Sequence, residues 1–151
     1  MAIVTFNTQA TIVFDFDDAT TAADIEARVN AMTHPRNNAG TAIGFGMSYS
    51  TNNVLLSQRG YRGGALTTIV LTDGNTLETP AQFDLRRGRL LARGSVIHAV
   101  GVGAEVTSSS DSAVRDLNDI YTAGTGREFW VATFDELVGQ VDRIASDTMC
   151  Q

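Results

Sequence analysis

Two residues of this chain have the types and surroundings to hold a ligand, the carboxylate of Asp73 and the hydroxyl of Thr41. Asp73 follows the apolar run Ile-Val-Leu at residues 69–71, with Thr72 between them. An apolar run bounded by a turn signal indicates a strand buried on both faces, and ligands of open α/β sheets bind outside the carboxyl ends of such strands. A plain Asp-Gly turn is the alternative that this stretch alone leaves open.

Thr41 follows the loop sequence Asn-Asn-Ala-Gly at residues 37–40. In a parallel sheet, this loop and the strand that ends before Asp73 reach the same carboxyl edge. A hydroxyl and a carboxylate there form part of a site for a hard cation, which prefers oxygen ligands. The glycines at residues 40–46 could instead cradle an anion at a helix start, but their spacing fits neither the dinucleotide nor the Walker motif.

A second acidic group, Asp15 and Asp17, follows another apolar strand. This pair resembles the nucleophile and general acid of haloacid-dehalogenase-type phosphatases, in which the two Asp are two residues apart. The match fails at Ala19, where that motif needs Thr, and those enzymes also use a Lys, which this chain lacks. The structural alternative is an acidic strand end before a helix N-terminus, where carboxylates suit the helix dipole.

Composition narrows the classes of function. The chain has 151 residues, 43% hydrophobic and 19% charged, which suits one folded domain with a sizeable core. Its net charge of -6 argues against nucleic acid and anionic membrane as partners. All eleven basic residues are Arg, which excludes a Walker phosphate loop and a pyridoxal Schiff base, and two His with one Cys argue against a zinc cluster. No apolar stretch reaches transmembrane length, and no signal-peptide pattern precedes the fold.

Apolar patterning predicts alternating strands and helices after an initial hairpin. Residues 2–6 and 10–16 predict two antiparallel strands. Helices are predicted from the capping box at Thr21 to His34, over residues 43–54, from Pro80 to Gly94, from the cap at 109–111 to Ile120, and over 134–144. Further strands are predicted at 67–72, 96–102 and 128–131. This order favours an α/β fold, with a doubly wound, mostly parallel sheet, an antiparallel edge hairpin and helices on both faces.

The blocks NNAGTAIGFGM, YRGGALTTIVLTDGNT, LLARGSVIHAVGVG and FWVATFDELVGQV occur in an order and at spacings that resemble a von Willebrand factor type A domain. The resemblance covers essentially all of residues 1–151 and implies a single domain with a Rossmann-like fold. It also implies a metal-ion-dependent adhesion site at the carboxyl edge of the sheet. In that site Thr41 matches the loop Thr and Asp73 the strand-end Asp, and Gly40, Gly74 and Asn75 belong to the ligand-binding face.

The chain departs from the family pattern at its start. The family's first strand and its D-x-S-x-S motif are missing, so the sequence begins at what would be the second strand. Only two of five expected metal-site side chains remain, which implies weak binding of Mg²⁺ or Mn²⁺. The lost strand would be central, so the resemblance implies a fragment or a degenerate member, and association with a segment that supplies that strand. The partner of Cys150 would lie in the missing part.

The resemblance implies a non-enzymatic adhesion module that binds a protein ligand, such as an extracellular-matrix or cell-surface protein, through the carboxyl edge of the sheet. It implies an extracellular or cell-surface location as part of a larger protein. An intracellular subunit of an ATPase-associated or chelatase-type assembly is the alternative within the same family, and a phosphatase using Asp15 and Asp17 is the alternative outside it.

Overall fold

The computed structural model describes residues 1–18, 21–32, 40–73, 76–103 and 119–149. The described strands are β1 (Ile3–Phe6), β2 (Ala10–Phe14), β3 (Leu66–Thr72), β4 (Ser95–Val102) and β5 (Glu128–Val131). The described helices of more than one turn are α1 (Ala22–Asn30), α2 (Ile43–Asn53), α3 (Pro80–Leu91) and α4 (Phe134–Met149), and a 3-10 turn spans Ser57–Arg59. The chain divides into two compact units, one of Met1–Gly64 with Leu77–Leu90 and one of Ala65–Thr76 with Leu91–Gln151.

The first unit, which we call the hairpin unit, is built on β1 and β2. These strands pair antiparallel, and the turn between them is closed by the Asn7 amide, which donates to the Gln9 carbonyl at 2.8 Å. Helix α2 packs on the hairpin, and its glycines permit the approach, because a Cβ at Gly46 would lie 2.9 Å from the ring of Phe6. The sequence prediction that these helix glycines mark close packing is therefore confirmed.

The second unit, which we call the sheet unit, carries β3, β4 and β5 in that order, all parallel. Central strand β4 is buried along nearly its whole length. Helix α4 covers β4 and β5, and the shared core consists of Val100, Val102, Phe129, Val131 and Ile144, with Leu137 packed against it. A parallel sheet with a helix on its face, an antiparallel hairpin and further helices confirm the predicted α/β class.

Burial of β3 differs from the sequence prediction. Val70 is 5% exposed, but Ile69 is 38% and Leu71 is 47% exposed, so this strand is buried on one face only. Among the described residues, α4 packs over β4 and β5, and the core that it shares with them contains no residue of β3. The sequence pattern alone could not predict this one-sided burial, because an apolar run has the same sequence whether or not another element covers it.

The helix caps predicted from the sequence are confirmed where they lie among the described residues. Thr21 caps α1, accepting from the Asp24 amide at 3.1 Å, and Thr79 with Gln82 forms a reciprocal cap at the start of α3. Gly94 follows α3 with a φ of 77°, as expected for a glycine that ends a helix.

Several element boundaries differ from those predicted from the sequence, and other predicted features lie outside the described residues. Helix α1 ends at Asn30, β2 ends at Phe14, and α4 extends past Ile144 to Met149. His34, Cys150 and all but the last two residues of the helix predicted from the cap at 109–111 to Ile120 lie outside the described residues. In the part of the chain that the structure describes, no helix is long and apolar enough to cross a membrane.

Candidate functional site

Thr41 lies in the loop that leads into α2, within the hairpin unit. Its carbonyl accepts a hydrogen bond from the Leu77 amide at 2.7 Å, and the next amide, of Ala42, donates to the Asn7 carbonyl at 2.9 Å. Gly40 precedes it with a φ of 74°, and a side chain at that position would overlap the side chain of Leu77. Backbone bonds on both sides therefore fix the position of Thr41, which is half-buried.

A buried carboxylate that sequence reasoning missed holds the start of α2. Glu78, whose side chain is 5% exposed, accepts a hydrogen bond from the Gly44 amide at 2.6 Å and pairs with the guanidinium of Arg86. That guanidinium also lies over the ring of Phe45, 5.4 Å from its centroid. A carboxylate at a helix N-terminus satisfies an amide that has no partner within the helix and also suits the helix dipole. Glu78 thereby ties the chain after Leu77 to the helix that follows Thr41.

Asp73 is exposed and directly follows β3, in the sheet unit. The last residue of β3, Thr72, lies beside Gly101, so β4 continues for one residue beyond it to Val102. The amide of Gly103 then donates to the Val131 carbonyl at 3.0 Å, which brings the end of β5 to the same edge. Asp73 is thus an exposed carboxylate at the carboxyl edge of a parallel sheet, as the sequence predicts.

The remaining predicted site residues are only partly described. Gly74 and Asn75 lie outside the described residues. Within the described ranges, the structure contains no group of three or more His, Cys, Asp or Glu side chains that could hold a metal ion. Thr41 offers a hydroxyl and Asp73 a carboxylate, and Mg²⁺ and Mn²⁺ prefer such hard oxygen donors.

Asp15 has a structural environment rather than that of a nucleophile. It is buried at the end of β2, and its Oδ2 accepts from Arg59 at 2.8 Å while its Oδ1 accepts from the Asp17 amide at 3.1 Å. The hydrogen bond from Arg59 lowers the pKa of Asp15 below its ordinary value of 3.8. Both carboxylate oxygens are therefore engaged in holding the turn after β2, and Asp17 itself is exposed.

His98 is buried in the centre of β4 and is 1% exposed. Its Nδ1 accepts a hydrogen bond from the Arg127 amide at 3.1 Å, which requires that nitrogen to be unprotonated. Burial lowers the pKa of His98 below its ordinary value of 6.5, and the positive charge of Arg127 lowers it further. This histidine is a neutral structural residue that joins the start of β5 to β4.

Comparison with known proteins relates this geometry to a family. Residues 1–143 match the family profile described as "von Willebrand factor type A domain". A search of curated proteins found no match.

Similar solved structures include three of proximal thread matrix protein 1 from the mussel byssus. One has a zinc-occupied MIDAS motif, is 22% identical and has a TM-score of 0.79, and the match covers 97% of this chain and 35% of that one. Crystal form 2 of the same protein is 23% identical, with the same TM-score and coverage of 97% and 36%. The chain thus spans about a third of the length of these proteins, and at this identity the likeness shows the fold. Since the family profile matches nearly the whole sequence, the chain belongs to the von Willebrand factor type A domain family.

Proposed function

We propose that residues 1–151 act as one non-enzymatic binding module of the von Willebrand A type, which engages a protein ligand at the carboxyl edge of the β3–β5 sheet. The observation that carries the proposal is the exposed carboxylate of Asp73 at the end of a parallel strand. Family membership supports protein binding as the general function. The engagement of both Asp15 oxygens by Arg59 and a backbone amide supports a role without catalysis.

The proposed ligand-binding face consists of Gly40, Thr41, Asp73, Gly74 and Asn75. Thr41 and Asp73 are the proposed protein donors to a divalent cation, Mg²⁺ or Mn²⁺. Support comes from their oxygen chemistry and from the mussel structure whose MIDAS motif holds zinc. Two protein side chains make this binding weak, because most of the coordination shell remains water.

The proposed ligand is an extracellular-matrix or cell-surface protein, and the proposed location is outside the cell as part of a larger protein. The support is the likeness to a matrix protein of the mussel byssus. The chain has a net charge of -6, which favours a ligand whose contact surface carries cations or basic side chains.

Calorimetric titration of the purified chain with MgCl₂ and with MnCl₂ tests the metal site. We expect dissociation constants in the millimolar range, about 4 kcal/mol of binding free energy, and no measurable heat for Asp73→Asn or Thr41→Val. Asp84→Asn, which changes an exposed carboxylate on α3, is the matched control and should leave the titration unchanged. Micromolar affinity that depends on Asp73 would show that further ligands complete the site.

Surface plasmon resonance with a panel of immobilised matrix proteins tests ligand binding. Each protein that binds the wild-type chain is measured again with Asp73→Asn and Asp84→Asn. We expect Asp73→Asn to weaken binding by about tenfold or more, the loss typical of a charged group at an interface centre, and Asp84→Asn to bind normally. Equal binding by all three forms would place the ligand on another surface.

A further inference from the structure

Four peptide bonds of this chain join an arginine to a glycine, so they offer a protease the same pair of residues. They are Arg59–Gly60, Arg62–Gly63, Arg87–Gly88 and Arg93–Gly94. A trypsin-like endopeptidase selects a bond by the side chain before it, which enters an acidic pocket when it is positively charged. Residue type therefore does not distinguish the four bonds, and only their local structure does.

Residues 62–64 form an exposed segment without backbone hydrogen bonds. In the described part of the chain, no backbone hydrogen bond involves Arg62, Gly63 or Gly64, and all three residues are exposed. The two glycines have φ angles of 76° and 99°, and a Cβ at either would meet no atom within 4 Å. Since glycine changes its backbone angles at little steric cost, this segment becomes extended, as a protease groove requires, without breaking a backbone hydrogen bond.

This segment is anchored on both sides. Before it, the Tyr61 amide donates to the Leu56 carbonyl at 3.2 Å, and the Tyr61 ring lies 5.7 Å from the ring of Phe16 between centroids. After it, Leu66 begins β3 and pairs with Ser95. The backbone without hydrogen bonds is therefore confined to the immediate surroundings of one bond, Arg62–Gly63. Exposed connections with small residues are the usual places of proteolytic nicking.

Two of the other bonds lie in regular, hydrogen-bonded structure. Arg59 ends a 3-10 turn, and its guanidinium pairs with the buried carboxylate of Asp15 at 2.8 Å. The amide of Gly60, which belongs to the bond that a protease would cut, donates to the Ser57 carbonyl at 3.1 Å. The Arg87–Gly88 bond lies inside helix α3. Cleavage at either place first requires the turn or the helix to open.

The Arg93–Gly94 bond is the closest match to the Arg62–Gly63 bond. Arg93 is exposed, Gly94 has a φ of 77°, and a Cβ there would meet no atom within 4 Å. However, the Gly94 amide donates to the Leu91 carbonyl at 2.8 Å, and the next residue, Ser95, is buried at the start of β4. The two bonds thus share residue type, exposure and backbone angle but differ in hydrogen bonding.

We propose that the Arg62–Gly63 bond is a processing site for a trypsin-like serine endopeptidase. Hydrolysis adds one water molecule across this bond, which leaves a carboxylate on Arg62 and an amine on Gly63. The products are residues 1–62 and 63–151, and they remain together as one non-covalent complex.

Contacts inside the hairpin unit join the two products. Helix α2 lies before the bond and helix α3 after it, and both belong to this unit. Glu78 accepts from the Gly44 amide at 2.6 Å, and the Leu77 amide donates to the Thr41 carbonyl at 2.7 Å. A Cβ at Gly44 would lie 3.2 Å from the ring of Phe83, which is 4% exposed. These hydrogen bonds and this packing do not depend on an intact bond after Arg62.

The absence of lysine from the sequence allows a test at single positions. A lysine-specific serine endopeptidase has no site in the wild-type chain, whereas Arg62→Lys and Arg93→Lys each create one site before a glycine. Under native conditions we expect Arg62→Lys to be cut about tenfold or more faster than Arg93→Lys. The reason is that cleavage follows the population of the locally open form, and each hydrogen bond that must open lowers this population several-fold. In urea that unfolds the chain, both variants should be cut at the same rate.

Trypsin treatment of the wild-type chain tests the site without substitution. Mass spectrometry should identify fragments 1–62 and 63–151, and Arg62→Gln should remove this pair. The cut chain should elute from a gel-filtration column at the volume of the intact chain, and urea should separate the fragments.

Three results would overturn the proposal. The first is equal native rates for Arg62→Lys and Arg93→Lys. The second is an intact Arg62–Gly63 bond in wild-type chain whose other arginine bonds have been cut. The third, fragments that elute separately without urea, would overturn the non-covalent complex.

Discussion

At the scale of single residues, this structure separates the carboxylates by what surrounds them. Asp15 and Glu78 are buried, and each is held by an arginine and by a backbone amide. Asp73 is exposed at a strand end. The first two stabilise turns and helix starts, because buried carboxylates need a partner to remain charged. The third is the one available to a ligand or a cation.

The sequence predicted the exposed carboxylate better than the buried ones. Asp73 follows an apolar run and precedes a glycine, which is a local pattern. Glu78 reaches the Gly44 amide across 34 positions of sequence, and Arg59 reaches Asp15 across 44. No spacing rule for helices or strands connects such distant positions, so these contacts follow only from the packed fold.

His98 gives the chain a pH dependence whose sign follows from its lowered pKa. The unfolded chain takes up a proton near the ordinary value of 6.5, while the folded chain resists it down to a lower pH. The stabilising contribution is therefore complete above pH 6.5 and is lost as the pH falls below it, with a slope of up to about 1.4 kcal/mol per pH unit. Urea unfolding measured between pH 8 and pH 5 should show this fall.

The matched variant for that measurement is His98→Asn, which keeps an acceptor for the Arg127 amide but does not titrate. We expect lower stability at pH 8, from lost packing, and a flatter dependence on pH below 6.5. His34→Asn changes the other histidine of the sequence and is the matched control. A slope that His34→Asn removes and His98→Asn preserves would contradict the assignment.

At the scale of elements, the glycines of α2 and α3 have opposite roles. A Cβ at Gly46 would lie 2.9 Å from two ring atoms of Phe6, whereas a Cβ at Gly88 would meet no atom within 4 Å. Gly46→Ala should therefore lower the free energy of unfolding by about 1–3 kcal/mol through overpacking of α2 against β1. Gly88→Ala should raise it by about 0.5–1 kcal/mol, because glycine in a helix interior is unfavourable. Chemical denaturation measures the free energy of unfolding of both variants. A lower value for Gly88→Ala than for the wild type would show that α3 is more tightly packed than the structure indicates.

The sequence predicted the elements well where the signal is local. The caps at Thr21 and Thr79, the glycine after α3 and the glycines of α2 are all read from neighbouring residues, and the structure confirms them. Burial of β3 on both faces was wrong, because it depends on whether another element lies over Ile69 and Leu71. Element type is thus encoded locally, whereas exposure is set by which elements are present to pack.

At the scale of the whole molecule, the net charge disfavours one class of partner, the polyanions. The net charge is -6, and one of the four arginines around α3, Arg86, pairs with the carboxylate of Glu78. We expect the chain to pass through a heparin column at about 0.15 M salt without retention, because polyanion binding requires clustered free cations. Elution that requires high salt, and that is lost in Arg87→Gln with Arg93→Gln, would contradict this expectation.

The single tryptophan of the sequence, Trp130, lies in β5 beside Gly101 and is half-buried. Light at the long-wavelength edge of protein absorption excites tryptophan and not tyrosine, so the fluorescence that it produces originates in the sheet unit. The hairpin unit contains the tyrosines Tyr49 and Tyr61, which this light does not excite. The natural protein thus carries an optical reporter for one unit without any added label. The emission of Trp130 and the far-ultraviolet signal of the whole backbone can be followed in the same cuvette.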